Sequence, residues 1–267
     1  FLMKKITPFM FIFFAGFVIS ITSLNFYKKN PSSFCETSKS RELSIKDIVL
    51  SEMLDRSQFR RKAYNKSLRF NGKTYKRKVK YYIHDENGYV KSKLLPSKDN
   101  YTYEISNDTE QFIVDTFKKL DEYIDLDFER VYSPKKAKIS IYKTIPPEKD
   151  FLGMAQSEWR NRPYRYKVAI SWIDSNNKKP KLSNYPNLSY TDATTLVHEI
   201  AHALGLDHLE KEYKYGEVIN PRDILINKKD TIMSYNNPPC ILPEEDVFFT
   251  ELDIKALRRL WGVEKNN

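Results

Sequence analysis

The stretch His-Glu-Ile-Ala-His-Ala-Leu-Gly-Leu-Asp-His, residues 198–208, determines how the rest of the chain is interpreted. Three of the four histidines in the chain lie within it. His198 and His202 are four positions apart, so on a helix both imidazoles project from one face, about one turn apart. One rigid element can therefore supply two nitrogen ligands to a zinc ion, each at roughly 2.0 to 2.1 Å from the metal.

The other residues of the stretch complete a candidate catalytic site. Glu199 follows His198 directly, and its carboxylate can accept a proton from a water that zinc activates, which makes it the candidate general base. Gly205 lies where the helix would end, and glycine readily takes the left-handed conformation that reverses the chain. This turn returns His208 as the third ligand. Three protein ligands leave the fourth position to water, as in catalytic zinc sites. The alternatives are a core helix with structural histidines and a metal-free descendant of an enzyme.

This signature resembles that of the metzincin zinc metallopeptidases, in which a Met-turn follows the three histidines. Residues 230–235, Asp-Thr-Ile-Met-Ser-Tyr, resemble such a turn. The resemblance implies that Met233 forms a hydrophobic base beneath the zinc ion. It also implies that Tyr235, as in serralysins and astacins, binds the zinc or stabilises the transition state; ordinary packing is the alternative. Leu209 departs from the residues that the named branches have after the third ligand, so the branch stays unassigned.

The pattern after residue 98 predicts strands at residues 101–105, 137–142 and 168–172. A helix is predicted between the first two strands, with Asn107 and Glu110 as its capping box.

Two further helices are predicted from their capping residues. Asp192 or Thr191 is expected to cap the zinc-binding helix. Thr250 and Asp253 are expected to open a final helix that ends at Gly262.

This order of elements resembles a metzincin catalytic domain and implies the fold. We expect an α+β metzincin-type zincin fold over residues 98–265, with a mixed five-stranded twisted sheet, an active-site helix and a C-terminal helix. The resemblance also places residues 151–159 at the sheet edge beside the cleft, where a peptide or protein substrate can add as a strand. Residues 236–239 would then line the S1′ pocket together with the active-site helix.

The N-terminal part of the chain differs from the rest in hydropathy and charge. Residues 6–24 are nineteen uncharged and mostly apolar residues, so residues 1–24 are predicted to be a signal peptide or an uncleaved membrane anchor. Residues 1–97 contain 20 Lys or Arg against 7 Asp or Glu. The basic region 25–97 is interpreted as a propeptide or a spacer, with a hairpin over residues 73–90 that turns at Asn87-Gly88. No nucleic-acid-binding motif accompanies this charge, so no nucleic acid is expected as a partner.

One catalytic Zn²⁺ is the predicted cofactor. Related enzymes often carry Ca²⁺ as well, but the polar residues 174–187 lack the Asp-rich spacing of a calcium site. Cys35 and Cys240 are the only cysteines; they could form a disulfide in an oxidising compartment. Cys35 as a latency switch on the zinc is the other alternative, although its surroundings do not resemble the known switch motif.

These observations predict a secreted or extracytoplasmic zinc-dependent endopeptidase that hydrolyses peptide bonds with Glu199 as general base. Residues 6–24 would provide any membrane association. The alternative is a catalytically inactive metzincin-like envelope or binding protein whose basic N-terminal region carries the function. The intact Glu199 and the complete set of three histidines favour the enzyme.

Overall fold

The computed structural model describes residues 78–95, 100–145, 152–161, 164–174, 181–208, 227–234 and 246–264. The chain divides into two compact units, Phe1–Leu43 and Ser44–Asn267, and every described residue belongs to the second. The strands are β1 (Lys78–Ile83), β2 (Gly88–Tyr89), β3 (Tyr101–Tyr103), β4 (Asp127–Arg130), β5 (Ile139–Thr144), β6 (Gly153–Asn161) and β7 (Tyr164–Trp172). The helices are α1 (Asn107–Asp121), α2 (Tyr190–Ala203) and α3 (Glu251–Trp261). The predicted α+β class is therefore confirmed.

The described strands form one mixed sheet. Five of them lie side by side in the order β4-β1-β5-β7-β6. The first four of these are parallel, and β6 is antiparallel to β7. The short strands β2 and β3 pair with each other, and β3 also pairs with the end of β5. The described sheet thus has seven strands, against the five predicted.

The hairpin predicted over residues 73–90 is wrong. The alternation that suggested it belongs to β1, whose Val79, Tyr81 and Ile83 are buried, but β1 pairs in parallel with β4 and β5. Asn87 instead accepts a hydrogen bond from the backbone N–H of Glu104 at 3.1 Å, and so joins the segment before β2 to the one after β3. Alternation identifies a half-buried strand and not its partner. The sheet therefore begins no later than Lys78, ahead of the domain start predicted at residue 98.

Strand β6 confirms the edge strand expected at residues 151–159. Among the described strands it pairs with β7 alone. The strands predicted at 101–105, 137–142 and 168–172 correspond to β3, β5 and β7, with bounds that differ by a few residues. The sequence analysis missed β4, whose Asp-Phe-Glu-Arg contains one apolar residue and is half-buried throughout.

The cap predicted for α1 is displaced by one residue. Ser106 caps this helix, and its Oγ accepts a hydrogen bond from the backbone N–H of Thr109 at 3.3 Å. The side chain of Glu110 does not close a capping box at Asn107. It forms an ion pair with Arg130 on β4 at 2.7 Å, which joins the helix to the sheet.

The cap predicted for α2 is also displaced, whereas that of α3 is confirmed. Ser189 caps α2 and accepts from the backbone N–H of Asp192 at 3.0 Å, so Asp192 lies in the first turn. Thr250 and Asp253 open α3 as predicted, where they form a capping box, and Gly262 ends this helix at φ 99°.

The main hydrophobic core lies between the helices and one face of the sheet. Alternate side chains of the central strands enter this core, and the three helices contribute their apolar faces. The opposite face of the sheet carries a smaller cluster around Leu95, Tyr142 and Ala169. Of the helices in the described ranges, none has the length and apolar character needed to cross a membrane. The apolar segment 6–24 lies outside these ranges.

Candidate metal centre

The helix α2 places His198, Glu199 and His202 in its last two turns. Leu204 ends the helix, and Gly205 follows at φ 103°, a left-handed conformation that glycine adopts without a Cβ clash. The backbone N–H of Leu206 then donates to Ala201 O at 3.0 Å, which fixes the reversal. The chain therefore turns back after the helix, and the turn predicted from Gly205 is present.

The three predicted ligands converge. One potential ligand atom from each of His198, His202 and His208 lies within 4.8 Å of the other two. The Nε2 atoms of His198 and His202 are each 2.9 Å from Nε2 of His208. Two nitrogens bound to one tetrahedral ion at about 2.0 to 2.1 Å would be about 3.3 Å apart. The observed separations are a few tenths of an ångström shorter, so small movements of the rings would admit an ion.

Two of these imidazoles are oriented through their other nitrogen. His198 donates Nδ1–H to the carbonyl oxygen of Ile232 at 2.7 Å, and His202 donates Nδ1–H to that of Leu206 at 2.8 Å. A carbonyl only accepts, so both rings carry their proton on Nδ1 and a lone pair on Nε2. Both lone pairs are directed at the same small space beside His208. Metal-binding histidines are commonly held in this way, and the arrangement fits a cation.

The protonation of His198 is also suited to metal binding. Removal of the ring from water, together with the neighbouring His202, lowers the pKa of His198 to about 3. The imidazole is therefore neutral at neutral pH, which is the form that binds a metal ion. Neutral imidazole nitrogens suit zinc, copper, iron and nickel. The cluster can thus hold a metal ion.

Glu199 is buried beside this cluster, with 5% of its surface exposed. Burial raises the pKa of its carboxyl to about 8, while a hydrogen bond from the backbone N–H of Ala155 on β6 opposes this shift. Its Oε2 atom is buried and has no hydrogen-bond partner within the described residues. A buried carboxylate oxygen without a partner is costly, and such groups recur where a water, an ion or a reacting proton is accommodated.

A tight turn after residue 227 contacts the site through the carbonyl oxygen of Ile232, which His198 binds. Met233 is fully buried, and its backbone N–H donates to Thr231 Oγ1 at 3.1 Å. Asp253, fully buried on α3, accepts hydrogen bonds from Thr231 Oγ1 at 2.5 Å and from the backbone N–H of Ile232 at 3.0 Å. Ile232 is the residue whose carbonyl orients His198. From the sequence, Asp253 was expected only to open the helix, and its hydrogen bonds to the turn at Thr231 and Ile232 were not predicted.

The C-terminal helix is also joined to the end of α2. Trp261 donates its indole N–H to the carbonyl oxygen of Leu204 at 2.9 Å. This bond satisfies a carbonyl at the helix terminus, where intrahelical partners are lacking. The reversal that delivers His208 is therefore held from the α3 side as well.

The other predicted positions divide between described and undescribed residues. Tyr235, Leu209, both cysteines and residues 236–239 lie outside the described residues. In the described part of the loop 174–187, Asp174 pairs with Lys143 at 2.9 Å. Within the described ranges, the three histidines form the one group of side chains suited to holding a metal ion. No group of acidic residues there is suited to one.

Comparison of the chain with protein-family models and with curated proteins finds no match. The chemical interpretation of the site thus depends on its own geometry. Three imidazoles can hold a metal ion, and the adjacent Glu199 can accept or deliver a proton.

Proposed function

We propose that the chain is an exported zinc-dependent endopeptidase with a metzincin-type catalytic domain. One observation supports this most directly: Glu199, with a buried and unpartnered carboxylate oxygen, directly follows the first of three converging histidines. A structural metal site needs no such carboxylate, whereas hydrolysis needs a base beside the metal.

Zinc is the proposed ion because three histidine nitrogens leave one tetrahedral position open. His198, His202 and His208 would hold it. When bound, the ion would polarise a carbonyl oxygen and lower the pKa of a water to about 7.

Glu199 is proposed to move the proton. Its carboxylate accepts a proton from the attacking water and then delivers it to the nitrogen of the leaving amine. The raised pKa suits both steps, because a group that titrates near the working pH can act as base and then as acid. A bound cation would lower this pKa from its metal-free value, since an opposite charge favours the carboxylate.

The proposed substrate is a peptide or protein segment in an extended conformation. The edge strand β6 lies beside α2, and its outward main-chain groups are suited to pairing with an added strand. Tyr235 as a second catalytic residue, the export signal in residues 6–24 and the role of the basic region 25–97 stay predictions.

Metal content and peptide cleavage, measured together, test the proposal. The purified chain with one equivalent of zinc is incubated with a broad peptide library, and the products are identified by mass spectrometry. Glu199→Ala is the matched control, because it removes the proposed base and leaves all three histidines. We expect the wild type to cleave peptides and the variant to cleave them at least about a hundredfold more slowly. General-base catalysis typically contributes a factor of about 10² to 10⁴ to the rate.

Two outcomes would contradict the proposal. Cleavage that is equal in both proteins would remove Glu199 from the mechanism. One tightly bound metal ion per chain without any cleavage would favour the inactive binding protein.

A further inference from the structure

The edge strand β6 approaches the helix α2 closely at Gly153. A Cβ atom placed on Gly153 would lie 2.6 Å from Thr195 Cγ2 and 3.0 Å from both Cγ and Oε1 of Glu199. Carbon atoms in favourable contact are about 3.5 to 4.0 Å apart, so there is no room for this methyl group. Any other residue at this position would move the strand, the helix or the side chain of Glu199.

The pairing of β6 with β7 directs the main-chain groups of Gly153 and Ala155 away from the sheet. The backbone N–H of Ile173 donates to the carbonyl oxygen of Leu152 at 3.1 Å, so these two residues form a hydrogen-bonded pair. Hydrogen-bonded and non-bonded pairs alternate in antiparallel strands. Gly153 and Ala155, opposite Trp172 and Ile170, are therefore in non-bonded pairs, and their N–H groups point to the side of β6 that has no partner strand among the described residues.

The outward N–H of Ala155 donates a hydrogen bond to the carboxylate of Glu199. Oε2 of Glu199 has no partner within the described residues, so Oε1 is the atom that accepts this hydrogen bond. One carboxylate oxygen is thus held by the strand, and the other is left for a reacting proton. The missing side chain at Gly153 brings the strand close enough for this contact.

We propose that Gly153 is a positioning residue for Glu199: the absence of its side chain lets β6 reach α2, so that Ala155 N–H holds Oε1 and leaves Oε2 to the reaction. The catalytic consequence rests on the proposed peptidase function. The geometric part does not, because the contact between Ala155 and Glu199 can be measured without a substrate.

The first measurement is amide hydrogen exchange in the full chain with one equivalent of zinc. No described strand pairs with this edge at Ala155, so Glu199 is the proposed source of protection for its amide. Gly153→Ala and Glu199→Ala should each speed its exchange at least about tenfold, as expected for a lost hydrogen bond to a charged acceptor. The Met154 amide belongs to a hydrogen-bonded pair with β7 and is the internal control, expected to change much less.

Thr195→Ser supplies the matched variants. Serine lacks the Cγ2 atom that the added methyl group would meet at 2.6 Å, and it keeps the hydroxyl that bonds Thr191 O at 2.8 Å. Thr195→Ser alone should behave as the wild type. Combined with Gly153→Ala it removes the contact to Thr195 and leaves the two contacts to Glu199, so fast exchange at Ala155 should persist.

Peptide cleavage by the same variants tests the catalytic consequence. Gly153→Ala, alone or with Thr195→Ser, should lower kcat about ten- to a hundredfold with KM little changed, because a misplaced reacting group acts on the chemical step. The zinc content should stay at one ion per chain, since none of the three histidines is touched.

The outcomes separate this inference from the proposed function. Unchanged exchange at Ala155 in Gly153→Ala, full recovery in the double variant, or a raised KM with normal kcat would each overturn the positioning role. A zinc-loaded wild type that cleaves no peptide would contradict the proposed function, while the exchange rates would still decide whether Gly153 positions Glu199.

Discussion

Asp253 offers the sharpest stability test of the site. This fully buried carboxylate accepts hydrogen bonds from Thr231 Oγ1 at 2.5 Å, from Ile232 N–H at 3.0 Å and from Thr250 N–H at 2.9 Å. It therefore joins the start of α3 to the turn that orients His198. We expect that replacing it will weaken both the fold and the binding of metal.

The expected loss in the free energy of unfolding depends on the donors that each substitution leaves unpaired. Asp253→Ala leaves two buried donors and the half-buried N–H of Thr250 without this acceptor. Each buried donor is worth about 1 to 3 kcal/mol, and we expect a loss of roughly 3 to 5 kcal/mol because such effects are not additive. Asp253→Asn keeps the shape and one acceptor oxygen, and should lose about 1 to 2 kcal/mol. Glu251→Ala is the matched control in the same helical turn; Glu251 is exposed, so its loss should stay at about 0.3 to 1 kcal/mol.

Urea denaturation with a chelator measures these free energies of unfolding in the metal-free protein. Competition with a chromogenic chelator then measures zinc affinity, which should fall about 10- to 100-fold in Asp253→Ala, as for other groups that orient a metal ligand. If Asp253→Ala unfolds with the same free energy as Glu251→Ala, the three hydrogen bonds do not support the turn. Lower stability with unchanged zinc affinity would show that the orientation of His198 is independent of Asp253.

Two further predictions concern the metal ligands and the effect of pH. His208→Ala should release the metal ion, because two histidines hold zinc weakly, and stoichiometric zinc by atomic absorption would show that the third ligand is misassigned. Burial raises the pKa of Glu199 from 4.5 to about 8, so between pH 6.5 and 8 the folded chain keeps a proton that the unfolded chain has lost. The free energy of unfolding of the metal-free protein should therefore fall as the pH rises toward 8. His198, whose pKa is lowered from 6.5 to about 3, gives the opposite slope near pH 6.5, because the unfolded chain still holds part of that proton there, so the fall is read at the upper end of the window. Glu199→Gln should remove the slope, and an equal slope in the variant would assign it to another group.

The convergence of the three histidines could be predicted from the sequence because its geometry is local. A spacing of four residues fixes His198 and His202 on one face of any helix, and Gly205 supplies the left-handed turn for His208. Both relations involve residues that are close together in the chain.

Pairing between distant segments could not be predicted in the same way. The alternating pattern of β1 marks a buried face, yet its partners β4 and β5 lie far along the chain. The strand β4 carries almost no signal of its own, because its place in the sheet depends on pairing with β1 and on the ion pair of Arg130 with Glu110.

The helix caps show a limit of another kind. Several residues that can cap a helix stand together before α2, and the sequence pointed to Thr191 or Asp192. Ser189 takes the position because its hydroxyl bonds both the backbone N–H and the carboxylate of Asp192. The N-cap preferences of Ser, Thr and Asp are so similar that residue type alone does not select among them.

The hydrogen bonds around the site imply that the three histidines are not equivalent. His202 is oriented by Leu206, four residues along the chain, so its geometry comes with the end of α2. His198 is oriented by Ile232, thirty-four residues away, and Ile232 is held in turn by Asp253. A local opening of the turn at residues 227–234 would therefore release the orientation of His198 and leave that of His202 intact. His198, which comes first in the sequence motif, therefore depends on the completed fold more than His202 does.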